Sequence, residues 1–259
     1  MTKTETPLLS LKNIVTKVNV NTPNEVMILR HLNLDIYAGD FITVLGSNGA
    51  GKSTLFNTIS GELPVNDGRI QLKDHDITHL SVEKRTAFLA RVFQDPKMGT
   101  APRMTVAENL LLASQRGKRR TLRLRRLKQS LPHFKALAAT MNNGLSERLS
   151  TATESLSGGQ RQALSFLMAT EQHPDLLLLD EHTAALDPKT SAELMTQTNQ
   201  RVTQEKLTCL MITHHLDDAL KYGNRLIVLD QGQIKYDVRG AEKAALTKDK
   251  LLSFFDTIE

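Results

Sequence analysis

Two short stretches of the chain carry groups that could act on a phosphate. The first is Gly46-Ser47-Asn48-Gly49-Ala50-Gly51-Lys52-Ser53, which follows the apolar run Phe41-Ile42-Thr43-Val44-Leu45 and opens into Thr54-Leu55-Phe56-Asn57-Thr58-Ile59. A strand, a glycine-rich turn and a helix start in that order are the setting in which GxxxxGK[ST] makes a phosphate-binding loop. Glycines let backbone N–H groups turn inward toward oxyanions, and the helix N-terminus adds unpaired donors and a positive dipole end. Lys52 is placed to reach β- and γ-phosphates, and the Ser53 hydroxyl to ligate Mg²⁺. The second stretch is Leu176-Leu177-Leu178-Leu179-Asp180-Glu181, an apolar strand ending in two adjacent carboxylates. Ligands of open α/β sheets gather at such strand ends. There Asp180 could hold Mg²⁺ through water, and Glu181 could orient or deprotonate an attacking water. Standing alone, the pair would be two acids opening a surface loop; beside a phosphate loop it reads as hydrolytic machinery.

The elements that must position these groups alternate along most of the chain. Strands are expected at residues 8–15, 32–36, 41–45, 68–72, 88–93, 176–179, 207–213 and 225–229, with a hairpin through Gln231-Gly232 into 233–238. Helices are expected from Lys52 to a C-terminal cap at Gly61, and at 82–87, 160–171, 188–205 and 216–222. Two further helical stretches, about 240–247 and 248–256, close the chain. Buried runs separated by helices predict a mostly parallel sheet covered on both faces, hence an α/β fold. Between Asp95 and about Glu154 strand signals vanish and helices follow at 105–114 and from 119 to about 141, an all-helical insertion. Leu124, Leu127, Leu131 and Phe134 share one face of the second helix, which Pro132 is expected to kink or divide. The turn Lys73-Asp74-His75-Asp76 is polar turn chemistry rather than a metal cluster.

Composition narrows the class. The chain has 259 residues, enough for a substantial core, with 40% hydrophobic and 24% charged residues and a net charge of +5, too mild to imply nucleic acid or membrane by itself. The one cysteine, Cys209, lies in an apolar run, which excludes an internal disulfide and suggests a reducing compartment. The first residues lack the apolar stretch of a secretion signal and no window approaches a membrane span, so a cytosolic location with membrane association through a partner is expected. Residues 116–128 hold eight basic side chains: Arg116, Lys118, Arg119, Arg120, Arg123, Arg125, Arg126 and Lys128. They read as a solvated helix face, or more sharply as a contact for acidic lipid head groups or an acidic partner. Nucleic acid ranks behind both, because no aromatic side chains interleave for stacking.

A third motif, Leu156-Ser157-Gly158-Gly159-Gln160, is by composition a glycine turn capping a helix that starts at Gln160, with Ser157 free to bind an anion. With it, the set GSNGAGKS, Gln94, LSGGQ, LLLLDE and His214 resembles the ATP-binding subunits of ABC transporters, over about residues 8–238 and with every motif in family order. The resemblance implies a P-loop NTPase with a RecA-like core, an N-terminal antiparallel β subdomain and an all-helical insertion. It implies one ATPase domain over 1–259, with a helical subdomain at about 95–154 and a helical cap at about 240–259. ATP and Mg²⁺ are the implied cofactors. Nucleotide contacts fall to Gly46, Ser47, Asn48, Gly49, Ala50, Gly51, Lys52, Ser53 and Thr54. Ser157, Gly158, Gly159 and Gln160 are implied to contact the γ-phosphate held by a second subunit, and Asp187, in Ala185-Leu186-Asp187, to lie across the dimer interface. Gln94 is implied to sense Mg²⁺ and the attacking water, so the metal set is Ser53, Gln94 and Asp180; Lys52, Gln94, Glu181 and His214 form the catalytic set.

The implied partners are a second copy of the chain, integral-membrane permease subunits and an extracytoplasmic solute-binding protein, with no nucleic acid. The implied location is the inner face of the cell membrane. Phe93-Gln94-Asp95-Pro96-Lys97-Met98-Gly99-Thr100 and Asp180-Glu181-His182-Thr183-Ala184-Ala185 look most similar to importer ATPases paired with permeases of the branched-chain amino acid type, a group associated with aromatic amino acids. The rival reading is a soluble ABC ATPase of iron–sulfur cluster assembly. Two departures stand out. The family's adenine-stacking aromatic falls near Val18, with no aromatic residue before His31, and His182 replaces the proline that many members carry after the glutamate. A histidine there could add a donor or a titrating group beside Glu181, or be a harmless variant.

Overall fold

The apolar run ahead of the glycine-rich loop is a strand buried at all its positions, with a parallel neighbour on each edge, which is why it shows no polar alternation. The computed structural model describes residues 6–118 and 126–256. In chain order its first elements are β1 (Leu9–Val18), β2 (Val26–Ile36), β3 (Phe41–Leu45), α1 (Lys52–Ser60), β4 (Asp67–Leu72), β5 (His75–Asp76), α2 (Val82–Arg85) and β6 (Leu89–Val92). There follow α3 (Val106–Ala113), α4 (Leu127–Ala139), α5 (Gly158–Thr170), β7 (Leu176–Asp180) and α6 (Pro188–Gln204). The chain then runs through β8 (Cys209–Ile212), α7 (Leu216–Lys221), β9 (Arg225–Asp230), β10 (Gln233–Arg239), α8 (Ala241–Ala244) and α9 (Lys248–Asp256). It divides into two compact units, residues 1–85 with 207–259, and residues 86–206.

In the first unit β2, β1, β4 and β5 form an antiparallel sheet, the N-terminal β region that the family resemblance implies. Strand β3 lies between β8 and β9, parallel to both, and β10 turns back antiparallel on β9. Cys209, at the start of β8, is fully buried, and burial pushes its thiol well above the usual range; it is a small core residue. The C-terminal α9 covers this sheet. Leu251 and Phe254 join Leu45, Leu226, Val228 and Val238 in one buried cluster, and the Tyr236 ring stacks on Phe254 with centroids 4.0 Å apart.

The C-terminal end of α1 is held by a residue that the pattern of the sequence does not advertise. Gly61 caps it as expected, in the left-handed conformation, its N–H donating to the Thr58 carbonyl. Two of the last carbonyls of α1, Thr58 again and Ile59, meet the guanidinium of Arg85, which is only 2% exposed. Arg85 Nη1 donates to Thr58 and Ile59 O (2.9 and 2.6 Å), Nη2 to Ile77 and Thr78 O (both 2.8 Å), and Nε to Leu80 O (3.1 Å). One side chain therefore ties the end of α1 to the 77–80 turn, and the start of α1 is the glycine-rich loop. Arg85→Met is expected to lower unfolding stability by about 3 kcal/mol, since it strands buried carbonyls worth about 1–3 kcal/mol each, less what water recovers. Urea denaturation at neutral pH checks this; a midpoint equal to wild type would contradict it.

In the second unit β6 and β7 pair in parallel, Leu89 opposite Leu176 through Val92 opposite Leu179. Helix α3 starts at a capping box between Thr105 and Glu108. Its buried Asn109 bonds both polar groups of Ala101 and the Thr153 hydroxyl, fixing the preceding loop. Two expectations are corrected here. Helix α4 is not divided at Pro132 but continues through it. Arg116 is not part of a solvated face: its guanidinium donates to Ala169 O at 2.8 Å and to Gln172 O, capping the last turn of α5. Burial holds its pKa below the usual arginine range. Arg119, Arg120, Arg123 and Arg125 of the same basic run lie outside the described residues.

Candidate functional site

The glycine-rich loop has the geometry its composition calls for. Gly46 lies so close to β9 that an added Cβ would sit 2.3 Å from the Leu229 carbonyl oxygen, so no other residue fits there. Ser47, Asn48 and Gly49 are exposed along the rim, Ala50 is buried beneath them, and α1 begins directly at Lys52. The Lys52 ammonium, on a residue 7% exposed, donates to Gly46 O at 2.7 Å and Ser47 O at 3.0 Å. A mostly buried cation held by neutral carbonyls is poised for anionic oxygens. Ser53 is exposed in the first turn of α1, where its hydroxyl is accessible, and Thr54 follows it half-buried. In the same unit the chain leaves β8 through Thr213, whose N–H bonds Val44 O, and His214 is exposed just beyond that strand end.

The carboxylates sit as the apolar run predicts. All four leucines of β7 are buried, and Asp180 and Glu181 emerge half-buried at its C-terminal end. Glu181 has φ +45°, left-handed backbone that non-glycine residues rarely adopt, and its carbonyl accepts from Ala184 N–H at 2.9 Å to close a turn. Strain of order 1 kcal/mol or more at such a position is a feature of functional sites. Asp180 has a partner that its sequence context does not reveal: Arg91 Nη2, from β6, donates to Asp180 Oδ2 at 2.6 Å. Gln94, two residues past β6, is exposed; the carbonyl of Phe93 before it accepts from Gln162 Nε2 at 3.0 Å, tying this corner to α5.

The LSGGQ stretch builds the start of α5. Ser157 is the N-cap: its hydroxyl accepts from Gln160 N–H at 3.2 Å while the Gln160 side chain accepts from Ser157 N–H. The Ser157 hydroxyl is thus already engaged rather than free, and it keeps only its own proton to offer an anion. The helix starts at Gly158, two residues before the expected Gln160. A Cβ on Gly159 would lie 2.5 Å from Thr190 Cγ2, so glycine lets α5 pass the first turn of α6. Asp187 caps α6, accepting from Thr190 N–H at 3.1 Å, and the Thr190 hydrogen bonds hold its carboxyl below the usual range.

His182 points into the core, not toward solvent beside Glu181. It is 2% exposed, its Nε2 lies 3.2 Å from the Thr198 hydroxyl, and its ring stacks on Phe166 with centroids 6.5 Å apart. Burial pushes its pKa down to about 4. The folded state therefore holds a neutral ring where the unfolded chain would bind a proton, so this contribution to stability is complete above pH 6.5 and is lost as pH falls toward 4. The loss is expected to reach about 3 kcal/mol, since each tenfold change in proton affinity is worth about 1.4 kcal/mol. Denaturant unfolding of wild type and His182→Asn between about pH 7.5 and 4.5, a window that takes in most of this loss, checks it. Parallel pH profiles would contradict it.

The candidate residues are divided between the units: Gly46 to Thr54 and His214 in the first, and Gln94, Ser157 to Gln160, Asp180, Glu181 and Asp187 in the second. Among the described residues no group of three or more His, Cys, Asp or Glu side chains could hold a metal ion. Each unit by itself offers an oxygen donor of the hard kind that Mg²⁺ takes, the Ser53 hydroxyl in the first and the Asp180 carboxylate in the second. At the expected adenine position Val18 ends β1, half-buried and paired with Val26. Among the described residues no helix is long and apolar enough to cross a membrane.

Comparison with known proteins gives the family. The chain is 46% identical over 231 residues to the tyrosine transport ATP-binding protein of Clostridioides difficile (strain R20291), covering 88% of this chain and 91% of that one. It is 32% identical over 218 residues to a phosphonates import ATP-binding protein of Lactococcus lactis subsp. cremoris (strain SK11), covering 83% and 88%. Its fold matches the ATP-binding cassette MJ0796, solved as a dimer in a post-hydrolysis state bound to ADP and Pi. There the TM-score is 0.75 and the identity 23%, over 89% of this chain and 98% of that one. The sequence pattern of the ABC transporter family matches residues 29–184, and the chain belongs to that family.

Proposed function

We propose that this ABC transporter ATPase energises import of a small organic solute, an aromatic amino acid by preference, through a separate membrane permease. The 46% identity to a tyrosine transport ATP-binding protein carries the substrate class. In this reading two copies of the chain close on ATP at the inner face of the membrane, reopen after hydrolysis, and so move permease subunits. An extracytoplasmic protein delivers the solute.

The residues divide the work by their chemistry. Backbone N–H groups from Gly46 to Thr54 and the Lys52 ammonium bind the triphosphate and neutralise its charge. Ser53, Asp180 through water and Gln94 would hold Mg²⁺, which supplies charge stabilisation on the phosphate oxygens. Glu181 accepts the proton of the attacking water, His214 orients the γ-phosphate end, and Ser157 to Gln160 with Asp187 serve the nucleotide of the partner copy. The β1–β2 hairpin offers Val18 and Val26 rather than an aromatic ring to the base, so grip on adenine is weaker than grip on the triphosphate.

Affinity capture of the tagged chain from detergent-solubilised membranes tests the transport reading. A polytopic permease should co-purify in stoichiometric amount. Recovery of soluble iron–sulfur scaffold proteins with no membrane protein would overturn it.

A further inference from the structure

An arginine in the middle of a two-stranded core pairing needs an explanation, because burying a guanidinium is costly unless it is well paired. Arg91 occupies that place in β6, opposite Leu178 of β7 and between buried Ala90 and Val92. Its side chain is 9% exposed and that of its partner Asp180 is 14% exposed. Besides the 2.6 Å bond to Asp180 Oδ2, the guanidinium carbon lies 4.8 Å from the centroid of the Phe93 ring. The planar group thus takes a carboxylate at its edge and an aromatic ring at its face, an arrangement lysine cannot reproduce. Phe93 is itself anchored through its carbonyl to Gln162, and Gln94 is the next residue. One side chain therefore touches Asp180 and the corner that presents Gln94.

We infer that Arg91 is a positioning residue that fixes the Asp180 carboxylate and the Phe93–Gln94 corner, and thereby sets the affinity of the nucleotide-bound protein for Mg²⁺. The inference rests on the reading of Asp180 and Gln94 as metal-site residues. Arg91 engages Oδ2, so Oδ1 is the oxygen of Asp180 that would serve a metal ion through water. The positive charge of Arg91 opposes a nearby dication, so two effects compete: orientation favours metal binding and charge disfavours it. Groups that orient a metal's contacts change affinity by about 10–100-fold when removed. A contact made through water depends on direction more than on full carboxylate charge, so orientation wins.

The test titrates Mg²⁺ into the full-length chain with a fluorescent non-hydrolysable ATP analogue, reading bound nucleotide rather than turnover. Arg91→Met should raise the Mg²⁺ midpoint about tenfold. Its nucleotide affinity in EDTA should stay within about twofold of wild type, which a general structural loss would not allow. Arg91→Lys, which loses the planar fork but keeps the opposing charge, should raise the midpoint at least as far, and it carries the test if the Met variant does not fold by circular dichroism. An unchanged or lower midpoint in a folded variant overturns the inference, as does an equal loss of affinity in EDTA. Asp180→Asn separates the two levels. If it too leaves the midpoint unchanged, the metal reading of Asp180 fails; if it raises the midpoint while the Arg91 variants do not, only the role of Arg91 fails.

Discussion

Glu181→Gln is expected to bind ATP as wild type does while hydrolysing it about 10²–10⁴-fold more slowly, the usual worth of a general base. The amide keeps the shape of the carboxylate but cannot accept the proton of the attacking water. The substitution leaves the turn intact, because the left-handed backbone at this position, φ +45°, is closed by a main-chain bond from Ala184 to the Glu181 carbonyl. Phosphate release at saturating ATP, set beside binding of a fluorescent ATP analogue, checks both halves. Wild-type turnover would remove Glu181 as the base.

Lys52→Ala should lose binding as well as turnover, because its ammonium contacts ground-state phosphates directly. Two charge-assisted hydrogen bonds at about 1.5–3 kcal/mol each, less the bonds to Gly46 and Ser47 carbonyls given up on binding, come to about 3 kcal/mol, or roughly 150-fold in affinity. Those carbonyls, at 2.7 and 3.0 Å, show that Lys52 is held in place by its own loop. A thermal melt of the variant therefore accompanies the binding curve, to show that the loop change has not unfolded α1. Wild-type affinity for the fluorescent analogue would contradict the role given to Lys52.

Most elements were legible because local rules and tertiary burial agree in them. The phosphate loop needs glycines at fixed offsets, β7 needs an unbroken apolar run, and Gly61 ends α1 where a left-handed cap is required. The structure starts and ends most of the predicted helices and strands within a few residues of expectation, but β2 begins at Val26 rather than 32 and α4 at Leu127 rather than 119. What stayed hidden was the partnering of charges distant in sequence. Nothing local singles out Arg85 or Arg91, and Arg116 reads as one cation of a basic run. Arg85 is buried, and Arg91 and Arg116 half-buried, because a helix end, a carboxylate and another helix end arrive from elsewhere in the chain. His182 was ambiguous for a similar reason: only Thr198 and Phe166, on two other helices, show that it faces inward. Pro132 misled in the opposite sense, since the helix it was expected to divide runs on through it.

ATP-driven closure of two copies is tested most directly by the solution mass of the purified Glu181→Gln chain, measured by light scattering with and without MgATP. Trapped nucleotide should convert a monomer into a dimer, and Lys52→Ala added to the same chain should abolish the shift. A monomer that binds ATP yet never doubles its mass would contradict the closure on which the proposed transport cycle depends.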